Sequence, residues 1–137
     1  MKKTITRGFR MLFVAILSLC GITATSQVII NEYSCSNFES FPDNYDSFED
    51  WIELYNPGAS AINIGGYFLS DKPDAPMTWQ IPAGTTIPAN GFKLFWASGR
   101  DEASFGSLHT NFKLTQTRPE PEYIVLADPA GNILDSL

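Results

Sequence analysis

The chain has 137 residues, 44% of them hydrophobic, with nine Lys and Arg against fifteen Asp and Glu. That length suits a single domain able to bury its own core. An acidic balance is repelled by phosphate backbones, so it argues against unaided nucleic-acid binding.

The first element in chain order is a leader. Lys2, Lys3, Arg7 and Arg10 precede a nearly apolar run over 11–22, and Ala24-Thr25-Ser26 follows with small residues. This is the layout of a secretory signal peptide, too short for a stable membrane span, with cleavage expected after Ser26. Cys20 invites a lipoprotein reading, but the bulky Leu19 before it argues against lipidation. The expected products are a signal peptide over 1–26 and a mature chain over 27–137, secreted to the extracellular space or the cell surface. The mature part keeps five basic residues against fifteen acidic ones, a net charge of −10 over 111 residues. It also keeps one cysteine, Cys35, so no internal disulfide can staple it. No basic or histidine neighbour in sequence is evident to activate Cys35 as a nucleophile, and it reads as a buried or simply free thiol.

Beyond the leader, short apolar or alternating runs predict strands over 28–33, 50–55, 61–64, 67–70, 78–81, 92–97, 110–114, 122–127 and 133–137. Asn56-Pro57-Gly58, Gly65-Gly66, Pro82-Ala83-Gly84, Ala89-Asn90-Gly91 and 128–132 punctuate them with turn chemistry. Strands this short, with turns this regular, predict an all-β sandwich or barrel. Two connections exceed what a hairpin needs: 34–49, which mixes acidic side chains with Phe38, Phe41, Tyr45 and Phe48, and 98–108. Loops of that length are usually functional or mobile.

The run Asp50-Trp51-Ile52-Glu53-Leu54-Tyr55 alternates strictly, so Ile52 and Leu54 share one face and Trp51, Glu53 and Tyr55 the other. Aliphatic side chains prefer the core. The acidic aromatic face is then either roofed by the preceding loop or open to a partner, since Trp and Tyr are favoured interface anchors.

Taken in order, several motifs resemble the lamin tail domain. They are Ile29-Ile30-Asn31-Glu32, Asp50 to Asn56, Ile64-Gly65-Gly66-Tyr67-Phe68-Leu69-Ser70-Asp71 and Trp79-Gln80-Ile81-Pro82, then Ile87 to Phe92, Phe95 to Gly99, Leu108 to Leu114 and Asp128-Pro129-Ala130-Gly131. The resemblance implies an all-β, immunoglobulin-like β-sandwich of lamin tail type behind the signal peptide, closest to exported bacterial members. It implies a non-catalytic interaction or attachment module whose partner is a protein or cell-surface component. The alternative is an accessory domain positioning a hydrolase or kinase-like enzyme encoded further along the same protein. The family pattern usually continues past Leu137, so a domain truncated at its C-terminal end is expected, with an open sheet edge.

Catalysis is not expected. His109 is the only histidine and has neither a nucleophile elbow nor an HExxH-type partner; it reads as a strand-end histidine bonded to backbone. Glu32 and Glu53 invite comparison with a glycosidase carboxylate pair, but all-β surfaces offer many such pairs by chance. The remaining basic residues, Lys72, Lys93, Arg100, Lys113 and Arg118, form no stripe with interleaved aromatics, so the chromatin contacts of nuclear lamin tails are not carried over. Trp51, Glu53 and Tyr55 are the binding-surface candidates. Asp43, Asp46, Glu49 and Asp50, with Glu32 or Glu53 added from the sheet, make a weak calcium site conceivable; otherwise they are a solvated acidic loop. No other cofactor is expected.

Overall fold

A computed structural model of the protein describes residues 27–104, 106–115 and 122–137. The leader expected over 1–26, with Cys20 and its cleavage site, lies outside them, as does Arg118. Among the described residues eleven strands run in order: β1 (Ile29–Ser34), β2 (Trp51–Tyr55), β3 (Ile62–Asn63), β4 (Phe68–Ser70), β5 (Trp79–Gln80), β6 (Thr86–Ile87), β7 (Phe92–Trp96), β8 (Glu102–Ser104), β9 (Ser107–His109), β10 (Val125–Ala127) and β11 (Ile133–Ser136). Among the described residues there is no helix, and so none long and apolar enough to cross a membrane.

The strands form a five-stranded sheet, β1-β2-β7-β9-β8, and a four-stranded sheet, β11-β10-β4-β5, with β3 and β6 paired as a separate ribbon. Their facing sides enclose one core, built from Ile30, Ile52, Leu54 and Phe95 on the larger sheet and Leu69, Trp79 and Leu126 on the smaller. Burying each such side chain contributes roughly 1.5–3 kcal/mol. Trp79 meets Phe95 edge to face across the core at 6.1 Å, and its indole N–H donates to Asp101 at 2.9 Å.

The β2 alternation holds: Ile52 and Leu54 are buried inward, and Trp51, Glu53 and Tyr55 stand outward, half-buried. The β2–β7 register sets Trp51 opposite Trp96, Glu53 opposite Leu94 and Tyr55 opposite Phe92, so these six side chains share the outer face. Trp96 is only 6% exposed, yet it belongs to that outer face rather than to the sandwich core.

Two turns explain the sequence punctuation. A Cβ on Gly65 would lie 2.8 Å from the Gly84 nitrogen, so the β3–β4 corner packs directly on the β5–β6 loop only because that position is glycine. Asn56 ends β2 as a buried polar knot, 1% exposed. Its Nδ2 donates to carbonyls of Ser60 (2.8 Å), Ile87 (3.2 Å) and Pro88 (2.9 Å), and its Oδ1 accepts from the Gly58 N–H at 2.9 Å. One side chain thereby ties strand end, turn and ribbon together.

Two expectations are corrected. Residues 110–114 form no strand; only Ser98 and Lys113 make an isolated bridge there. Thr110, Phe112 and Leu114 do point inward as alternation requires, but the facing segment bends through Gly99 (φ 73) and Asp101 (φ 54), whose left-handed backbone breaks the ladder. The expected loop 98–108 instead holds β8 and most of β9, a short hairpin that joins β7 in parallel through Trp96 and His109.

Candidate functional site

The outer face of the five-stranded sheet is three rows deep. The first row is Ile29, Tyr55 and Phe92; the second is Glu32, Glu53 and Leu94; the third is Ser34, Trp51 and Trp96, extended by His109 and Glu102.

The long connection roofs only the third row. Phe41 lies over Trp51 (ring centroids 5.6 Å) and over Trp96 (5.4 Å), while Tyr45 meets the His109 ring edge-on at 5.6 Å. Each such aromatic contact adds about 0.5–1.5 kcal/mol beyond area burial. Arg100 stacks over the Tyr45 ring at 4.5 Å, and the Tyr45 hydroxyl bonds to Glu102. Hydrogen bonds from Ser104 and Tyr45 hold the Glu102 carboxyl below its ordinary pKa. Phe38 and Phe48, offered by sequence as further roofing, point to solvent.

Three buried polar groups make this loop an ordered lid. Asn37 donates Nδ2 to carbonyls of Phe41 (2.9 Å) and Glu49 (2.8 Å), and its own N–H bonds Asp50 Oδ1 at 3.0 Å. Asp43 Oδ1 accepts from the N–H groups of Tyr45 (2.8 Å) and Ser47 (3.0 Å), closing a turn. His109 fastens that turn to the sheet.

The histidine is fully buried, and its partners are side chains rather than the backbone expected from sequence. Nδ1 lies 2.9 Å from Ser98 Oγ, and Nε2 lies 2.7 Å from Asn44 Oδ1. An amide oxygen only accepts, so Nε2 carries the proton; the neutral ring, which burial favours, then accepts from the serine at Nδ1. Burial pushes the His109 pKa down, opposed mainly by Asp43 and helped by Arg100. The Ser98–His109–Asn44 chain has the residue types of a nucleophilic triad, but Ser98 is 4% exposed and lies beneath the loop. Its hydroxyl is thus enclosed by protein rather than presented to solvent.

The calcium candidates disperse. Asp43 and Glu49 both face Arg100, at 3.8 and 3.6 Å, and Glu49 also pairs with Lys113 at 3.0 Å. Asp50 is engaged by Asn37, Asp46 is exposed at a left-handed turn position (φ 58), and Glu32 lies on the sheet face. Among the described residues no three His, Cys, Asp or Glu side chains converge to hold a metal ion.

Among the described residues nothing roofs the first two rows as Phe41 roofs the third. Phe92 is 51% exposed and Ile29 38%, and Tyr55 stacks on Phe92 at 4.7 Å. Beside them the register opposes Glu32 and Glu53 directly, and Asn31 Nδ2, brought to the same side by a bulge between Ile30 and Glu32, donates to Glu53 Oε1 at 2.8 Å. Of the sequence candidates, the structure keeps Glu53 and Tyr55 together on this open patch and withdraws Trp51 beneath Phe41. Phe92, Leu94 and Ile29 were missed, although the alternation of 92–96 already carried the signal.

No curated protein matches the chain. The Lamin Tail Domain family model matches residues 22–137, a span that contains every strand of the sandwich, and the protein is a member of that family.

Proposed function

We propose that this protein is an exported, non-catalytic interaction module that attaches at the cell surface or beyond through the outer face of its five-stranded sheet. The observation that carries this is the open pair of rows, where an aromatic stack and two aliphatic side chains adjoin two carboxylates while the third row is roofed. Exposed apolar patches rimmed by polar groups mark interaction sites. Membership in an immunoglobulin-like family of interaction type supports the reading, and so does the burial of Ser98 and His109 beneath the loop.

The test is fractionation of producing cells. Mass spectrometry is expected to find the chain beyond the cytoplasm, cut after Ser26. Purified protein is expected to bind the envelope fraction saturably, and Phe92→Ser to lose that binding without losing its fold. Retention of the uncut leader refutes export, and equal binding by the variant refutes the face.

A further inference from the structure

We propose that the open rows receive a cationic polypeptide segment, in which an arginine lies two residues from a large apolar side chain. This rests on the interaction-module reading above and names its partner chemistry.

The second row of this face holds a local misfit. Glu32 and Glu53 are directly opposed across β1 and β2 on one face, an arrangement that works against sheet stability. No basic residue described in the structure relieves it. Lys93 stands opposite Leu54 and so belongs to the other side of β7. Arg100 and Lys113 are committed to Asp43 and Glu49, and Lys72 follows β4 on the smaller sheet. Asn31 donates one hydrogen bond to Glu53, which leaves two carboxylates facing solvent with acceptor capacity to spare. A cation between them removes the repulsion and gains charge-assisted hydrogen bonds.

The surroundings select the kind of cation. Tyr55 and Phe92 offer aromatic surface one row away, and Leu94 lies beside Glu53. A guanidinium is planar, bonds carboxylates in a fork and stacks on aromatic rings, whereas an ammonium is compact and strongly hydrated. Alternate side chains of an extended chain repeat every ~7 Å, the same interval that separates successive rows on a sheet face. A segment laid along β2 with arginine over Glu32 and Glu53 therefore sets the side chain two residues away over Tyr55 and Phe92.

The experiment is an NMR titration of the purified protein. The probe is a nonapeptide of glycine and serine with a central arginine and a leucine two residues to either side. The same peptide with citrulline, a neutral isostere of arginine, is the control. The arginine peptide is expected to shift resonances of residues 29–32, 53–55 and 92–94, and the citrulline peptide to bind about tenfold more weakly. Glu53→Gln, which keeps the acceptor for Asn31, is expected to weaken the arginine peptide about tenfold while raising the melting temperature of the free protein. Glu39→Gln and Asp74→Asn, on other exposed surfaces, are expected to change affinity less than about twofold, as general acidity does not set binding.

Equal affinity for the two peptides, shifts confined to the 34–49 loop, or a fall in melting temperature in Glu53→Gln overturns the proposal. So does a response of this face to a neutral oligosaccharide alone. Envelope binding that depends on Phe92 but accompanies no response to the arginine peptide overturns the cationic partner and spares the interaction module. Peptide binding at this face without envelope binding supports the cationic partner and removes the surface attachment.

Discussion

Replacing Asn56 by aspartate changes almost no volume, yet it inverts the polarity of an enclosed knot, 1% exposed. The retained oxygen still accepts from Gly58, but the group facing Ser60, Ile87 and Pro88 becomes an oxygen 2.8–3.2 Å from three carbonyl oxygens. Two donors are lost, and each carbonyl left without its partner costs about 1–3 kcal/mol. A carboxylate this enclosed also cannot remain charged beside three acceptors, so it takes up a proton and regains one donor. The expected destabilisation near neutral pH is about 3–5 kcal/mol, a large share of the 5–15 kcal/mol typical of a domain. That corresponds to a fall in melting temperature on the order of 20 °C. The introduced carboxyl has a folded-state pKa raised above its unfolded value. Its protonated form therefore supports the fold fully below the unfolded pKa of about 3.9, and that support is lost as pH rises through the folded pKa. Guanidinium unfolding of wild type and Asn56→Asp at about pH 7 and about pH 4.5 measures both effects, and the gap is expected to narrow at the lower pH. A cost below about 1 kcal/mol, or a gap that does not respond to pH, refutes the knot.

Trp96→Ala is expected to cost about 3–5 kcal/mol and to raise protease sensitivity within 38–48, because the indole supports Phe41 from the sheet side; a loss under about 1 kcal/mol would place the ring at the surface. His109, as the sole histidine, gives unambiguous ring resonances, and their titration midpoint is expected below the ordinary 6.5. With the folded pKa depressed, its contribution to stability is complete above about 6.5 and is lost as pH falls from there through the folded pKa, which melts between about pH 7.5 and pH 5 will register; a midpoint above 6.5 contradicts the neutral, buried ring. Calcium titrated to about 10 mM, tenfold above the weakest constants usual for extracellular modules, is expected to give neither heat nor a thermal shift, since Arg100 and Lys113 already occupy Asp43 and Glu49; a saturable shift lost in Asp43→Asn would restore the calcium site.

What the sequence determined by itself was everything carried by neighbours along the chain. Ile52 and Leu54 against Trp51, Glu53 and Tyr55 follow from a period of two, and the glycine and proline turns follow from backbone sterics. Those local rules, with the ordered motifs, were enough for an all-β sandwich of this family. They also set which residues of 110–114 point inward, without showing that the ladder there breaks, because a ladder needs a partner and the partner's path was set by Gly99 and Asp101. The division of the outer face lay beyond them altogether. Whether Trp51 is roofed and Tyr55 left open depends on His109 meeting Asn44 across 65 residues, and on Asn37 and Asp43 satisfying the backbone of a loop that has no period to read. Such contacts form only after the sheet has assembled and brought distant donors and acceptors together, and the requirement that buried polar groups be paired then selects one loop conformation from many.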